Sequence, residues 1–128
     1  MRTATSRMEE KIMRETGMKS KEDIIKRLAD KTDFERDVLV ATFEIPKGKV
    51  STYKRMAEKI GKPRAYRAAG NALHKNPLAP VVPCHRVVKS DGRIAGEKES
   101  VDARRRLLEQ EGIPLEGNRV KLSKDIIY

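Results

Sequence analysis

The chain has 128 residues, with 29 Lys and Arg against 19 Asp and Glu for a formal net charge of +10, and a single cysteine. That is the size of one small domain with no internal disulfide, no familiar zinc cluster and no run of roughly 18 apolar residues, so a soluble intracellular protein, cytoplasmic or nucleoid/nuclear, is expected. The basic excess favours a polyanionic partner, nucleic acid first, because each phosphate contact releases counterions; a heat-adapted surface rich in Lys, Arg and Glu explains the charge equally well.

Residues 1–32 read as a charged, helical N-terminal extension. Glu9 to Glu15 is one candidate helix, and Ser20 to Ala29 a better one, with Ser20 as cap and Ile24, Ile25 and Leu28 as its apolar face. Gly17 separates them. The domain proper is expected over residues 33–128. Asp33 can cap a helix through Glu44, with Phe34, Val38, Leu39, Ala41 and Thr42 facing a core, and Ile45-Pro46 ends it. Lys47-Gly48-Lys49 is then a turn. Ser51 or Thr52 starts the next helix, to Ile60, and Gly61-Lys62-Pro63 breaks it before a third from about Arg64 to Lys75. Two short helices around a tight, glycine-containing turn fit a helix-turn-helix.

In that third helix Ala65, Ala68, Ala69, Ala72 and Leu73 recur at helical spacing and form a core face, while Arg67, Gly70, Asn71 and His74 make the opposite one. A glycine there costs about 1 kcal/mol against alanine. Close approach of a ligand would repay that cost, and a tolerated glycine on a solvated face is the equal alternative.

The stretch Asn76-Pro77-Leu78-Ala79-Pro80-Val81-Val82-Pro83-Cys84-His85-Arg86-Val87-Val88 holds the lone thiol beside an imidazole, between prolines that stop a helix and an apolar run that reads as strand or buried turn. A thiol is mostly protonated at neutral pH, so a nucleophilic Cys84 needs a base and a group to orient that base. His85 need not touch Cys84, since neighbours point apart in extended chain, and one water can join them. By itself the dipeptide is more often a packed cysteine beside a surface histidine.

Ser90-Asp91-Gly92 is a turn. Gly96 to Ser100 reads as a loop leading to a helix from Val101 to Gln110, with Gly112 to terminate it. Leu107, Leu108 and Glu111 share one side of that helix. A carboxylate on an apolar face needs a partner, and His85 is the natural one; a solvated Glu111 in a frayed last turn is the alternative. Ile113 to Leu122, centred on Gly117-Asn118, alternates like a small hairpin. The fold class is therefore mainly α, a winged helix-turn-helix-like domain with a small β-hairpin wing.

From about Phe34 to Gly112, through Val50-Ser51-Thr52-Tyr53, Arg67-Ala68-Ala69-Gly70-Asn71-Ala72-Leu73, Asn76-Pro77 and Pro83 to Val88, the sequence closely resembles the C-terminal domain of the O6-alkylguanine-DNA alkyltransferases, the methylated-DNA–protein-cysteine methyltransferases. The resemblance implies single-turnover DNA repair. Cys84 would accept a methyl or other alkyl group from O6 of guanine, His85 would be the water-mediated base, and Glu111 would orient and charge the imidazole. It further implies that Tyr53 assists flipping of the base and gives up a proton as the guanine leaves, and that Arg67 fills the gap in the stack from the minor groove. Ala68, Gly70 and Asn71 would lie against the DNA, Asn76 would be a hinge, and Pro83 and the main chain near Val87 would shape the pocket. The implied partner is double-stranded DNA containing O6-alkylguanine, bound by a monomer with no metal, no cofactor and no membrane.

Where family members usually carry an aromatic residue and paired glycines, this chain has Gly96-Glu97-Lys98-Glu99-Ser100. That loop and the tail from Leu107 to Leu122 are similar to the alkyltransferase-like proteins, which bind and flip alkylguanine without accepting the alkyl group, but which have tryptophan or alanine in place of Cys84. A non-catalytic lesion binder is the alternative function. An ordinary winged-helix regulator reading the major groove is a third.

Overall fold

Residues 21–128 are described by a computed structural model; the expected helix at Glu9 to Glu15, Gly17 and the Ser20 cap lie outside the described residues. Helix α1 (Lys21–Arg27) buries Ile24, and Leu28 just beyond it, while Ile25 stays on the outside. Helix α2 (Asp33–Phe43) is capped by Thr32 rather than by Asp33. Thr32 stands three residues before Glu35, and the two close a reciprocal capping box, an arrangement worth about 1 kcal/mol that Asp33 cannot make. Arg36 of α2 reaches back to the carbonyls of Leu28 and Lys31, so it satisfies the loose C-terminal end of α1.

Strand β1 (Ser51–Thr52) runs directly into helix α3 (Tyr53–Lys59), where the Thr52 hydroxyl accepts from the Arg55 amide at 3.1 Å. A turn through Gly61 then leads to helix α4 (Tyr66–His74), which packs on both α2 and α3. This is the expected helix-turn-helix. One expectation for α4 needs correcting: Ala69, Ala72 and Leu73 are buried, but Ala68 is exposed. The buried stripe is narrower because α2 and α3 cover only that side.

The segment after α4 enters a short 3-10 turn (Cys84–Arg86) and then strand β2 (Val87–Val88), which pairs in parallel with β1 in the register Ser51 to Val87 and Thr52 to Val88. Successive strand residues face opposite sides. Val87 therefore enters a core shared with α1 to α4, whereas Val88 enters a second core with Val50, Val101, Leu108 and Val120. The cysteine turn sits at the seam of the two.

Helix α5 (Lys98–Gln110) begins three residues before the expected Val101. Gly96 supplies a positive φ of 121° for the turn, and nothing in Lys98-Glu99-Ser100 stops the helix from extending back to Glu97. The wing is a hairpin of β3 (Leu115–Glu116) and β4 (Arg119–Val120). Gly92 is where the wing is clasped. Its φ is 90°, and a Cβ there would stand 2.3 Å from the Val120 carbonyl oxygen, so only glycine fits.

Candidate active site and nucleic-acid interface

Cys84 is half-buried and free, at the first position of the 3-10 turn. The tight turn swings the next two side chains inward: His85 is 1% exposed and Arg86 5%. Both meet the carboxylate of Glu111, the residue that caps the C-terminus of α5. His85 Nε2 lies 2.7 Å from Glu111 Oε2, and Arg86 donates to both carboxylate oxygens at 2.8 and 2.9 Å. The third Arg86 nitrogen, Nη1, donates to the Ile45 carbonyl at 2.8 Å, which pins the turn to the end of α2. Glu111 is thus buried and partnered, not solvated.

Burial is the largest single influence on Glu111 and opposes its ionisation, but the hydrogen bonds and charges of His85 and Arg86 outweigh it and hold the carboxyl at about 2. At neutral pH it is an acceptor-only anion. Nε2 of His85 must then carry the hydrogen, which leaves Nδ1 of the neutral ring as a bare acceptor. The geometry makes a base.

Asn76, just past α4, holds the approach to the cysteine. Its Nδ2 donates to the Val82 carbonyl at 2.8 Å and its Oδ1 accepts from the Leu78 amide at 2.9 Å. The end of α4 and the cysteine turn are therefore tied through one side chain.

A cleft of about 530 Å³ opens beside α4, lined by Tyr53, Tyr66, Arg67, Gly70, Asn71 and His74 among others, with Lys54 and Lys89 adding positive charge. Burial raises the Tyr53 phenol above its ordinary value, against the opposing charge of Arg104. Burial also lowers His74, and Arg104 adds to that effect. Gly70 faces Tyr53: an added Cβ would meet that ring at 3.7 and 3.8 Å, ordinary contact. No contact among the described residues demands the glycine. The structure brings Tyr53, Arg67, Gly70 and Asn71 to one cleft and leaves Ala68 exposed beside it. Pro83 and Val87 are buried instead, and neither they nor Cys84 form its wall. Cys84 is linked to the cleft through Tyr53, whose ionisation feels the thiol.

Two residues with no role assigned from sequence belong to this site. Arg86 stands inside the Pro-Cys-His-Arg-Val string, yet only its reach to Glu111 gives it work. Arg104 sits in the run Arg104-Arg105-Arg106, where nothing in the spacing singles it out, but it is buried and donates to the Tyr53 hydroxyl at 3.3 Å.

A model of the family described as 6-O-methylguanine DNA methyltransferase, DNA binding domain, matches residues 33–113. The chain belongs to this family. Among curated members, the protein of Methanosarcina barkeri named methylated-DNA–protein-cysteine methyltransferase is 50% identical over 80 residues, 62% of this chain and 51% of that protein. The chain spans about half the length of the curated methyltransferases it matches. Among solved members, the O6-methylguanine methyltransferase of Mycobacterium tuberculosis is 42% identical with a TM-score of 0.60, over 62% of this chain and 48% of that one. Atl1 of Schizosaccharomyces pombe, solved with damaged DNA containing O6-carboxymethylguanine, is 32% identical with a TM-score of 0.66, over 75% of this chain and 94% of that one. The shared fold is the mainly helical one described above. Among the described residues no helix is long and apolar enough to cross a membrane.

Proposed function

We infer that this chain repairs DNA by moving a methyl or other alkyl group from O6 of guanine to Cys84, once per molecule, on a base flipped out of double-stranded DNA. The observation that carries the reading is the buried His85–Glu111 contact of 2.7 Å immediately behind a half-buried free thiol. Nδ1 of His85 draws the thiol proton through solvent, and the Glu111 anion stabilises the imidazolium that forms. The thiolate then attacks the alkyl carbon in line, and the carbon–oxygen bond breaks towards the guanine. A thioether is a poor leaving group, so the protein is not regenerated.

The names of the curated relatives support the reaction, and the DNA complexes of solved relatives support the partner. Arg67 and Gly70 present the cleft side of α4 to the minor groove, where a side chain entering the stack pays for unstacking with wider contact.

Incubation with O6-methylguanine duplex is expected to add the mass of one methyl to the protein, at Cys84, with no further gain on fresh DNA and none for Cys84→Ala. A second reading, lesion binding without transfer, is favoured by the match to 94% of the Atl1 chain. Tight lesion-selective binding with no mass gain would select it. Equal affinity for intact and damaged DNA would reject both.

Gly70→Ala separates folding from binding. Its Cβ fits and its φ is unexceptional, so the variant is expected to melt higher, gaining about 1 kcal/mol of helix stability, while losing affinity for the lesion duplex. Unchanged DNA affinity would mean that nothing approaches α4 at that point.

A further inference from the structure

Arg104 is a buried guanidinium whose partners among the described residues are all neutral. It is 9% exposed, and among the described residues no carboxylate stands within ion-pair distance of it. Its Nη1 donates to the Ala95 carbonyl at 3.2 Å and to the Tyr53 hydroxyl at 3.3 Å, both of them neutral acceptors. Ala95 and Tyr53 also line the cleft beside α4. A cation held this way is costly to bury and gains most when negative charge appears next to it.

The hydrogen-bond direction adds a constraint. A guanidinium only donates, so the Tyr53 oxygen must accept from it. The single hydrogen of the phenol is then directed elsewhere, and the cleft is the side left open to it. We propose that Arg104 is a positioning residue that fixes Tyr53 as a hydrogen-bond donor into the cleft and stabilises the anion formed there. The cleft therefore selects a ligand whose acceptor atom gains negative charge during the reaction.

The proposal rests on the transfer reaction inferred above. When the sulfur–carbon bond forms and the carbon–oxygen bond breaks, the electron pair passes to the guanine. The guanine takes the Tyr53 proton, and the resulting tyrosinate lies beside the Arg104 guanidinium, which stays charged throughout. Preorganised positive charge at the point where negative charge develops needs no rearrangement during the step. The other groups that act on this pair are Cys84 from the 3-10 turn, which raises Tyr53, and His74 from α4, which Arg104 lowers.

Two readouts test it. The first follows Tyr53 ionisation by tyrosine 13C NMR, with the signal assigned by its loss in Tyr53→Phe. Arg104→Met should move the midpoint up by about 1 unit, and Arg104→Lys, which keeps a charge, should move it less. The second is the single-turnover rate of transfer from free benzylguanine. Arg104→Met should lower it about tenfold in the parent chain, and hardly further in the Tyr53→Phe background, because both changes remove the same effect. Should Arg104→Met fail to fold, the Arg104→Lys titration decides. An unmoved Tyr53 midpoint, or equal losses in both backgrounds, overturns the proposal while transfer itself stands. A parent chain that transfers nothing overturns the functional reading instead, and the titration still decides the role of Arg104.

Discussion

Glu111→Ala is expected to cost about 3–5 kcal/mol of folding stability and to remove alkyl transfer with it. The carboxylate is the shared partner of a buried imidazole and a guanidinium whose side chain is only 6% exposed, and alanine removes the acceptor that both of them share. Glu111→Gln is the sharper test of chemistry, because the amide fills the space but removes the charge that stabilises the imidazolium. A melting curve and a single-turnover rate measured together separate the two effects, and an unchanged rate across pH for Glu111→Gln would take the residue out of the relay. The same group predicts acid sensitivity. Its carboxyl is lowered in the folded protein from 4.5 to about 2. A depressed carboxylate contributes stability that is fully present above pH 4.5 and is lost as pH falls towards 2, about 3 kcal/mol in all. Denaturation midpoints should fall across that window in the parent chain and much less in Glu111→Gln.

Arg67→Ala is expected to slow repair of a lesion in duplex DNA about 100-fold and to leave reaction with free benzylguanine nearly untouched. Arg67 is exposed on the first turn of α4, lines the cleft, and among the described residues has no partner that a truncation would orphan. Alanine keeps the helix, so stability should stay within about 0.5 kcal/mol. Flipping a base costs a few kcal/mol of stacking, and a side chain that fills the gap returns about 3 kcal/mol of it, which is the 100-fold. A free base has no stack to fill. Equal loss on both substrates would show that Arg67 serves the chemistry or the fold and not the extrusion.

The helix-turn-helix is legible because α3 carries a cap, a glycine break follows it, and α4 has a periodic apolar stripe, all local signals. The α2 cap is ambiguous by one residue, since Asp33 and Thr32 both suit the position and only the Thr32–Glu35 reciprocity decides between them. The start of α5 is hidden because Lys98-Glu99-Ser100 has no apolar period, although it has nothing against a helix either. Cys84, His85 and Tyr53 stood out as residue types, whereas whether Glu111 meets His85 depends on how α5 docks, which no spacing records. Arg104 shows the same gap: in a row of three arginines, only the packing of α5 against the loop at Ala95 selects the one that is buried.

Two residues of parallel pairing have a larger consequence than their length suggests. The first strand delivers its next residue, Tyr53, to the cleft, and the second strand begins right after the turn bearing Cys84. Phenol and thiol are thus mounted on adjoining rails of one short ladder, and the span between them is inherited from backbone rungs. The exposed side chains of Glu97, Lys98, Glu99 and Ser100 lie outside that frame. They can change, tuning what approaches the pocket, without altering the separation of the two groups that act on it.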